Sequence, residues 1–211
     1  MKKLLILACL SASVLFADQA VSKSWADNLS VNGSIGYESE YVYRGWNIAH
    51  SDMVTSIEAA YKLYNGSLYA GAVNNRILGS SNFITELYGD NETNLYVGYK
   101  MPLYDKFNID AGFTYYWYNV ATGGWSSPWI DFCREVYTGV TYDGLWIAPA
   151  AYVYYDFDRE AWTGELSGKY SVCLAKYGIA NTALDLGAYC GGVSANDIGT
   201  DQTGPVLRAY P

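Results

Sequence analysis

The chain has 211 residues, 51% hydrophobic and 17% aromatic, with 22 Tyr, 7 Trp and 21 Gly, a net charge of −8 and a pI of about 4.5. That hydrophobic content excludes disorder, and the acidic balance excludes nucleic acid as a partner, since phosphate binding needs basic patches. The length suits one domain, and Tyr with Gly in such numbers suits strands and turns rather than helices.

Residues 1–17 have the form of a secretory signal: Lys2 and Lys3, then an apolar run from Leu4 to Phe16. Small residues for cleavage stand at Ala17 and at Ser11–Ser13, and "ILAC" ending at Cys9 is only a faint lipoprotein box. The run is shorter than the ~20 apolar residues of a spanning helix, and no later segment reaches that length. Residues 18–211 are expected to form a single domain without helical spans.

The first strand is expected from Leu29 through "SEYVYRG" (Ser39–Gly45). Leu29, Val31, Ile35, Tyr37, Tyr41 and Tyr43 share one face; Ser34, Glu38, Glu40 and Arg44 share the other. Trp46–Ser51 is expected as the first outer loop, carrying His50. Met53–Leu63 then alternates with Asp52, Ser56, Glu58 and Lys62. Asn65-Gly66 is the strongest short hairpin signal, and a turn there sets Leu63 opposite Leu68 and Tyr61 opposite Ala70. After a long connection (Asn75–Asn91), Leu95–Met101 alternates with Lys100, followed by a short connection at Pro102–Lys106. Phe107–Trp117 alternates with Asp110, then comes a long connection (Asn119–Ile130). Val136–Tyr142 alternates with Glu135, and Asp143-Gly144 makes a second tight turn. Ile147–Tyr155 is the next strand, where Pro149 suggests a bulge. Beyond Asp156–Ala161, Trp162–Val172 alternates with Glu165 and Lys169; beyond Ala175–Asn181, Leu184–Ala188 alternates with Asp185. Val206–Tyr210 looks like the start of a tenth strand, and the ending "GPVLRAYP" is expected to be a chain cut short.

Alternation of this kind also fits a soluble β-sandwich, with charges outside. Three features favour a membrane barrel instead. The odd-numbered connections look longer than the even-numbered ones, as outer loops are longer than periplasmic turns. Tyr41, Tyr43, Tyr115, Trp117, Tyr155 and Trp162 lie on apolar phases near the long loops, as in an interfacial girdle. Several strands reach the ~9–11 residues that cross a bilayer when tilted. The expected fold is all-β: an antiparallel up-and-down transmembrane barrel of about 8–12 strands, nine or ten of them visible here.

"SEYVYRG" (Ser39–Gly45), with "YNGSLYAGAVNN" (Tyr64–Asn75), "DAGFTYYWYN" (Asp110–Asn119) and "REVYTGVTYDGLW" (Arg134–Trp146), resembles the proteobacterial TorF-type porin family. The first element is the specific one. The resemblance spans roughly Leu29 to Tyr189 and implies an outer-membrane location and a pore, with no particular substrate.

No enzyme is expected. The single His50 has no nucleophile elbow beside it, and Cys133, Cys173 and Cys190 lack zinc spacing. Cys173 and Cys190 fall on opposite faces, so free thiols are expected. "DFDRE" (Asp156–Glu160) could hold a cation, though solvated loop charge is the simpler reading. No cofactor is expected.

What remains is the polar face. It carries Glu38, Glu40, Asp52, Glu58, Asp110, Glu135, Glu165 and Asp185 against Arg44, Lys62, Lys100 and Lys169. In a water-filled bore this excess of carboxylates would favour cations, with outer-membrane lipid and small polar or cationic solutes as the partners. In a narrow barrel the same charges would pair and block it, and Arg44 beside Glu38 and Glu40 is the expected internal network. Two further readings stay open: a non-conducting barrel that binds at its surface through aromatic loops such as "YNVATGGWSSPW" (Tyr118–Trp129), and a secreted soluble sandwich that binds sugars.

Overall fold

A computed structural model describes residues 10–14, 25–43, 46–78, 91–119, 132–177, 183–195 and 206–210. Its strands are β1 (Leu10–Val14), β2 (Leu29–Tyr43), β3 (Trp46–Leu63), β4 (Gly66–Ile77), β5 (Asn91–Tyr104), β6 (Phe107–Asn119), β7 (Phe132–Tyr142), β8 (Pro149–Asp156), β9 (Ala161–Cys173), β10 (Ala183–Ala195) and β11 (Val206–Tyr210). Two single 3-10 turns, Trp25–Asn28 and Leu174–Tyr177, are the only helical segments among the described residues. Every strand pairs antiparallel with its sequence neighbour in one sheet of order β1 to β11. The architecture is all-β and up-and-down. The short β1 lies within the segment expected as a leader and runs along Gly33–Tyr37 of β2.

The sheet is strongly curled. Neighbouring strands lie ~4.8 Å apart, so β2 and β6 would be ~19 Å apart if the sheet were flat. Yet the rings of Tyr43 on β2 and Tyr116 on β6 have centroids 6.0 Å apart. Tyr69 on β4 likewise reaches Tyr137 on β7, hydroxyl to hydroxyl at 2.7 Å. Both contacts cross the concave side of a barrel-like sheet. Instead of a sandwich's two facing sheets there is one.

The two faces are inverted relative to a soluble protein. The buried side chains of the concave side include Asp52, Asp110, Glu135, Asp156, Asn75 and Thr163. The convex side exposes Leu29, Ile35, Ile57, Leu95, Val97, Leu166 and Leu186, each between a third and three-fifths accessible. An apolar surface of this extent marks a protein or membrane contact. By the register, and apart from Glu40 at the break in β2, the charges on the convex side of the described residues of β2 to β10 are Arg76 and Arg134, both near strand ends.

Aromatic pairs band this convex side twice. Toward the outer ends, Tyr115 stacks on Phe132 and Tyr155 packs on Trp162 and Phe157. Toward the other ends, Phe107 packs on Tyr142 and Trp146 on Tyr170. On β6 the bands are marked by Phe107 and Trp117, with Ile109, Ala111 and Phe113 between them. Those ten steps of ~3.3 Å give ~33 Å of strand, or ~25 Å of height at a ~40° tilt, a height equal to that of the apolar band of known transmembrane barrels.

Several expectations about connections are corrected. Trp46–Ser51 belongs to β3, not to a loop, so β2 and β3 are joined by residues 44–45 alone. The sorting of loops by parity therefore fails at the first connection. It fails again later, where residues 143–148 between β7 and β8 outnumber residues 157–160 between β8 and β9. The first tight turn is Tyr64-Asn65, with Leu63 opposite Gly66, Tyr61 opposite Leu68 and Ala59 opposite Ala70. This differs from the expected pairing by two residues, so every side chain keeps its face. Tyr64 takes the positive φ of 54°, and Gly66 is kept for space: a Cβ there would lie 2.6 Å from the Lys100 carbonyl and from the Tyr99 ring. Pro149 makes no bulge; it opens β8, a position that loses no interior ladder bond.

Candidate functional site: the polar interior

The strand register places Glu38, Asp52, Glu58, Lys62, Lys100, Asp110, Glu135, Glu165, Lys169 and Asp185 on the concave face, while Glu40 sits at the break in the two-residue period, one ladder step from the inward pair Tyr41–Ala49. Glu38 pairs directly with Asp52 across β2 and β3, and Lys100 with Asp110 across β5 and β6. Arg44, and with it the expected Arg44–Glu38–Glu40 network, lies outside the described residues. Glu40 instead has His50 Nδ1 at 4.0 Å. Lys169 meets Asp185 at 3.0 Å, and Asp185 also accepts from the Ser171 hydroxyl.

Tyr41 and Tyr43 do not join the outer girdle. The two-residue period breaks where Ser51 takes a φ of 70° and the register shifts between Tyr41 and Val42. Tyr41 therefore turns inward and donates to both oxygens of Glu92 at 3.1 Å, while Tyr43 packs on Tyr116.

Toward one end, the concave side of β6 to β8 carries an ion-pair knot. Glu135 and Asp156 are directly opposed on β7 and β8, and both are fully buried. Tyr116 donates to Glu135 at 3.0 Å. Asp156 accepts from the Cys133 thiol at 2.9 Å, from the backbone N–H groups of Asp158 and Arg159 at 2.9 Å each, and from Arg159 Nη1 at 3.3 Å. Arg159 also donates to the Tyr118 hydroxyl at 3.2 Å. "DFDRE" is thus neither a bare cation site nor loosely solvated charge. Cys133, Asp156 and Asp158 do bring three potential ligand atoms within 4.8 Å of one another. Both carboxylates already carry an arginine, however, which is the wrong charge environment for a metal ion. Cys133, Cys173 and Cys190 are free thiols, as parity requires.

Arg134 grips Asp158 in a two-pronged contact, Nη2 to Oδ1 at 2.7 Å and Nε to Oδ2 at 3.2 Å, at the level of the aromatic band, where Arg134 pairs across the ladder with Tyr115. The guanidinium hydrogen bonds hold the Asp158 carboxyl below the ordinary carboxylate range. A lowered value means that this contact stabilises the turn fully above about pH 4, where an unfolded carboxyl titrates, and is lost as pH falls through the folded value. Amide-exchange protection of residues 157–160 is expected to be flat from about pH 5 to 8 and to fall below about pH 4, and Arg134→Gln is expected to remove that dependence. The effect is modest, because the pair is partly exposed and screened.

Midway along the concave face lies a cluster that residue type alone did not reveal. Tyr69 donates to Asp110 at 2.6 Å and Tyr152 donates to its other oxygen at 2.9 Å, while the Tyr137 hydroxyl lies 2.7 Å from that of Tyr69. Tyr96 donates to Glu58 at 2.9 Å. Each of these tyrosines lies flat over a glycine directly across the ladder: Tyr69 over Gly98, Tyr96 over Gly71, Tyr137 over Gly112, Tyr152 over Gly139. A Cβ at any of those glycines would overlap the ring. A sequence signal was available: Tyr69-Ala70-Gly71, Tyr96-Val97-Gly98 and Tyr137-Thr138-Gly139 repeat Tyr-x-Gly on the polar phase. Two such strands side by side seat each ring over the other's glycine.

Comparison of the chain with family models, with curated proteins and with solved structures finds no match. Among the described residues, no helix is long and apolar enough to cross a membrane. The class defined by fold and interior is a barrel-like, antiparallel all-β protein with an apolar outside and a polar, carboxylate-rich inside.

Proposed function

We propose that the chain is an outer-membrane β-barrel of the TorF-type porin kind, exported by the leader at residues 1–17, with a narrow interior path that favours small cations. The observation that carries the reading is the apolar convex band of ~25 Å between two aromatic girdles, backed by a concave face of carboxylates. Lipid outside and water inside is the environment that suits both faces at once. The carboxylate excess of the interior supplies the cation preference. A second reading, a non-conducting barrel, is favoured by the fully buried Glu135 and Asp156, since filled interiors are common at this strand number.

Planar-bilayer recording of the refolded protein separates the two. Small, steady unit currents with a reversal potential on the cation side in a KCl gradient are expected. Silence from heat-modifiable protein would leave the non-conducting barrel.

A further inference from the structure

We propose that the tyrosine belt around Asp110 is the constriction of the interior path and sets both its width and its charge selectivity; this rests on the barrel reading above. Four observations carry it. The belt residues come from β4, β6, β7 and β8, so their hydroxyls meet across a span that would be ~19 Å on a flat sheet. Their rings lie flat on glycines, which fixes how far each reaches into the bore. Ring contacts continue the belt sideways: Tyr137 touches Tyr152 and Tyr154, with centroids 6.3 and 6.0 Å apart, and Tyr69 touches Tyr96 at 6.1 Å. The rings are neither buried nor fully exposed, so they border open space rather than forming a dry core.

Asp110 is the charged centre of the belt. Its two oxygens take the Tyr69 and Tyr152 hydroxyls, one each, and Lys100 is its cross-strand neighbour. The two hydroxyls hold the carboxylate in place with its charge facing the path. A cation passing the belt can exchange water for tyrosine and carboxylate oxygens, whereas an anion is repelled by the Asp110 charge.

The test compares wild type with Tyr69→Ala/Tyr137→Ala, Tyr137→Phe, Asp110→Asn and, as a control at the outer mouth, Glu40→Gln. Each is refolded, checked for a shift between unboiled and boiled samples on a gel, and recorded in a planar bilayer. The double alanine variant is expected to raise unit conductance about threefold or more, or to open a silent wild type. Asp110→Asn is expected to keep the conductance within about twofold and to move the KCl-gradient reversal potential toward zero, with Glu40→Gln well short of both effects. Tyr137→Phe keeps the ring, and is the variant that reports if the double variant does not fold: it is expected to conduct as a barrel with a looser belt, noisier than wild type. Gel-shifting variants whose conductance and selectivity match wild type would overturn the belt as the constriction. A wild type that shows no gel shift would overturn the barrel reading, and the belt with it.

Discussion

Val97→Arg is expected to cost about 2–4 kcal/mol of membrane-folded stability, while Leu103→Arg costs about 0–1. Both side chains are exposed, Val97 on the convex face of β5 and Leu103 at the irregularity near its end. Val97 sits midway between the aromatic bands, opposite Ala70 and Phe113, whereas Leu103 lies beside the Asp105-Lys106 turn. If water bathed that face, both substitutions would fall within about 0.5 kcal/mol, since exposed surface positions tolerate charge. The graded cost arises only in lipid, where a guanidinium at mid-depth has no water and one near the end can snorkel. Urea titration of the protein folded into liposomes reads the difference. Equal, small effects at both positions would remove the lipid from the account.

Gly98→Val is the second large effect. Its side chain would occupy the space of the Tyr69 ring. Tyr69 would be displaced from Asp110, and the Tyr137 hydroxyl would lose its partner. Overpacking costs about 1–3 kcal/mol, and a hydrogen bond to a charged group about 1.5–3 more. The temperature at which the barrel loses its compact gel mobility is expected to drop steeply. Tyr69→Ala in the same chain is expected to recover part of the loss, because the two changes share one site and are not additive. Gly164→Val is the control: a Cβ at Gly164 meets nothing within 4 Å, and the substitution should be close to neutral. If Gly98→Val and Gly164→Val behave alike, the seating of tyrosine on glycine has no structural weight.

The faces of the strands were legible in the sequence because period two survives small errors in pairing. The misplaced Asn65-Gly66 turn moved every partner by two residues and no side chain across the sheet. By the register, ten of the twelve charges assigned to the polar phase share the concave face; Glu40 sits where the period breaks and Arg44 is undescribed. Where the period breaks, the inference broke with it: the positive φ of Ser51 and the shift after Tyr41 send two tyrosines inward that strict alternation sends outward. Glu92 and Asp156 escaped for another reason. They sit at the outer ends of β5 and β8, where the strands outlast their apolar residues and merge with segments that look like loop. The belt escaped because tyrosine suits lipid headgroups, a polar bore or a core equally well. Its position is decided by the glycine across the ladder, a relation between strands rather than a property of one.

The most direct test of the central claim is gel mobility of the leaderless protein folded into liposomes, unboiled against boiled, with protease added outside. A closed barrel in the membrane is expected to run as a compact species until boiled and to keep β2–β10 intact under protease. A protein that stays soluble and monodisperse in plain buffer, with one mobility and strands open to cleavage, would contradict it.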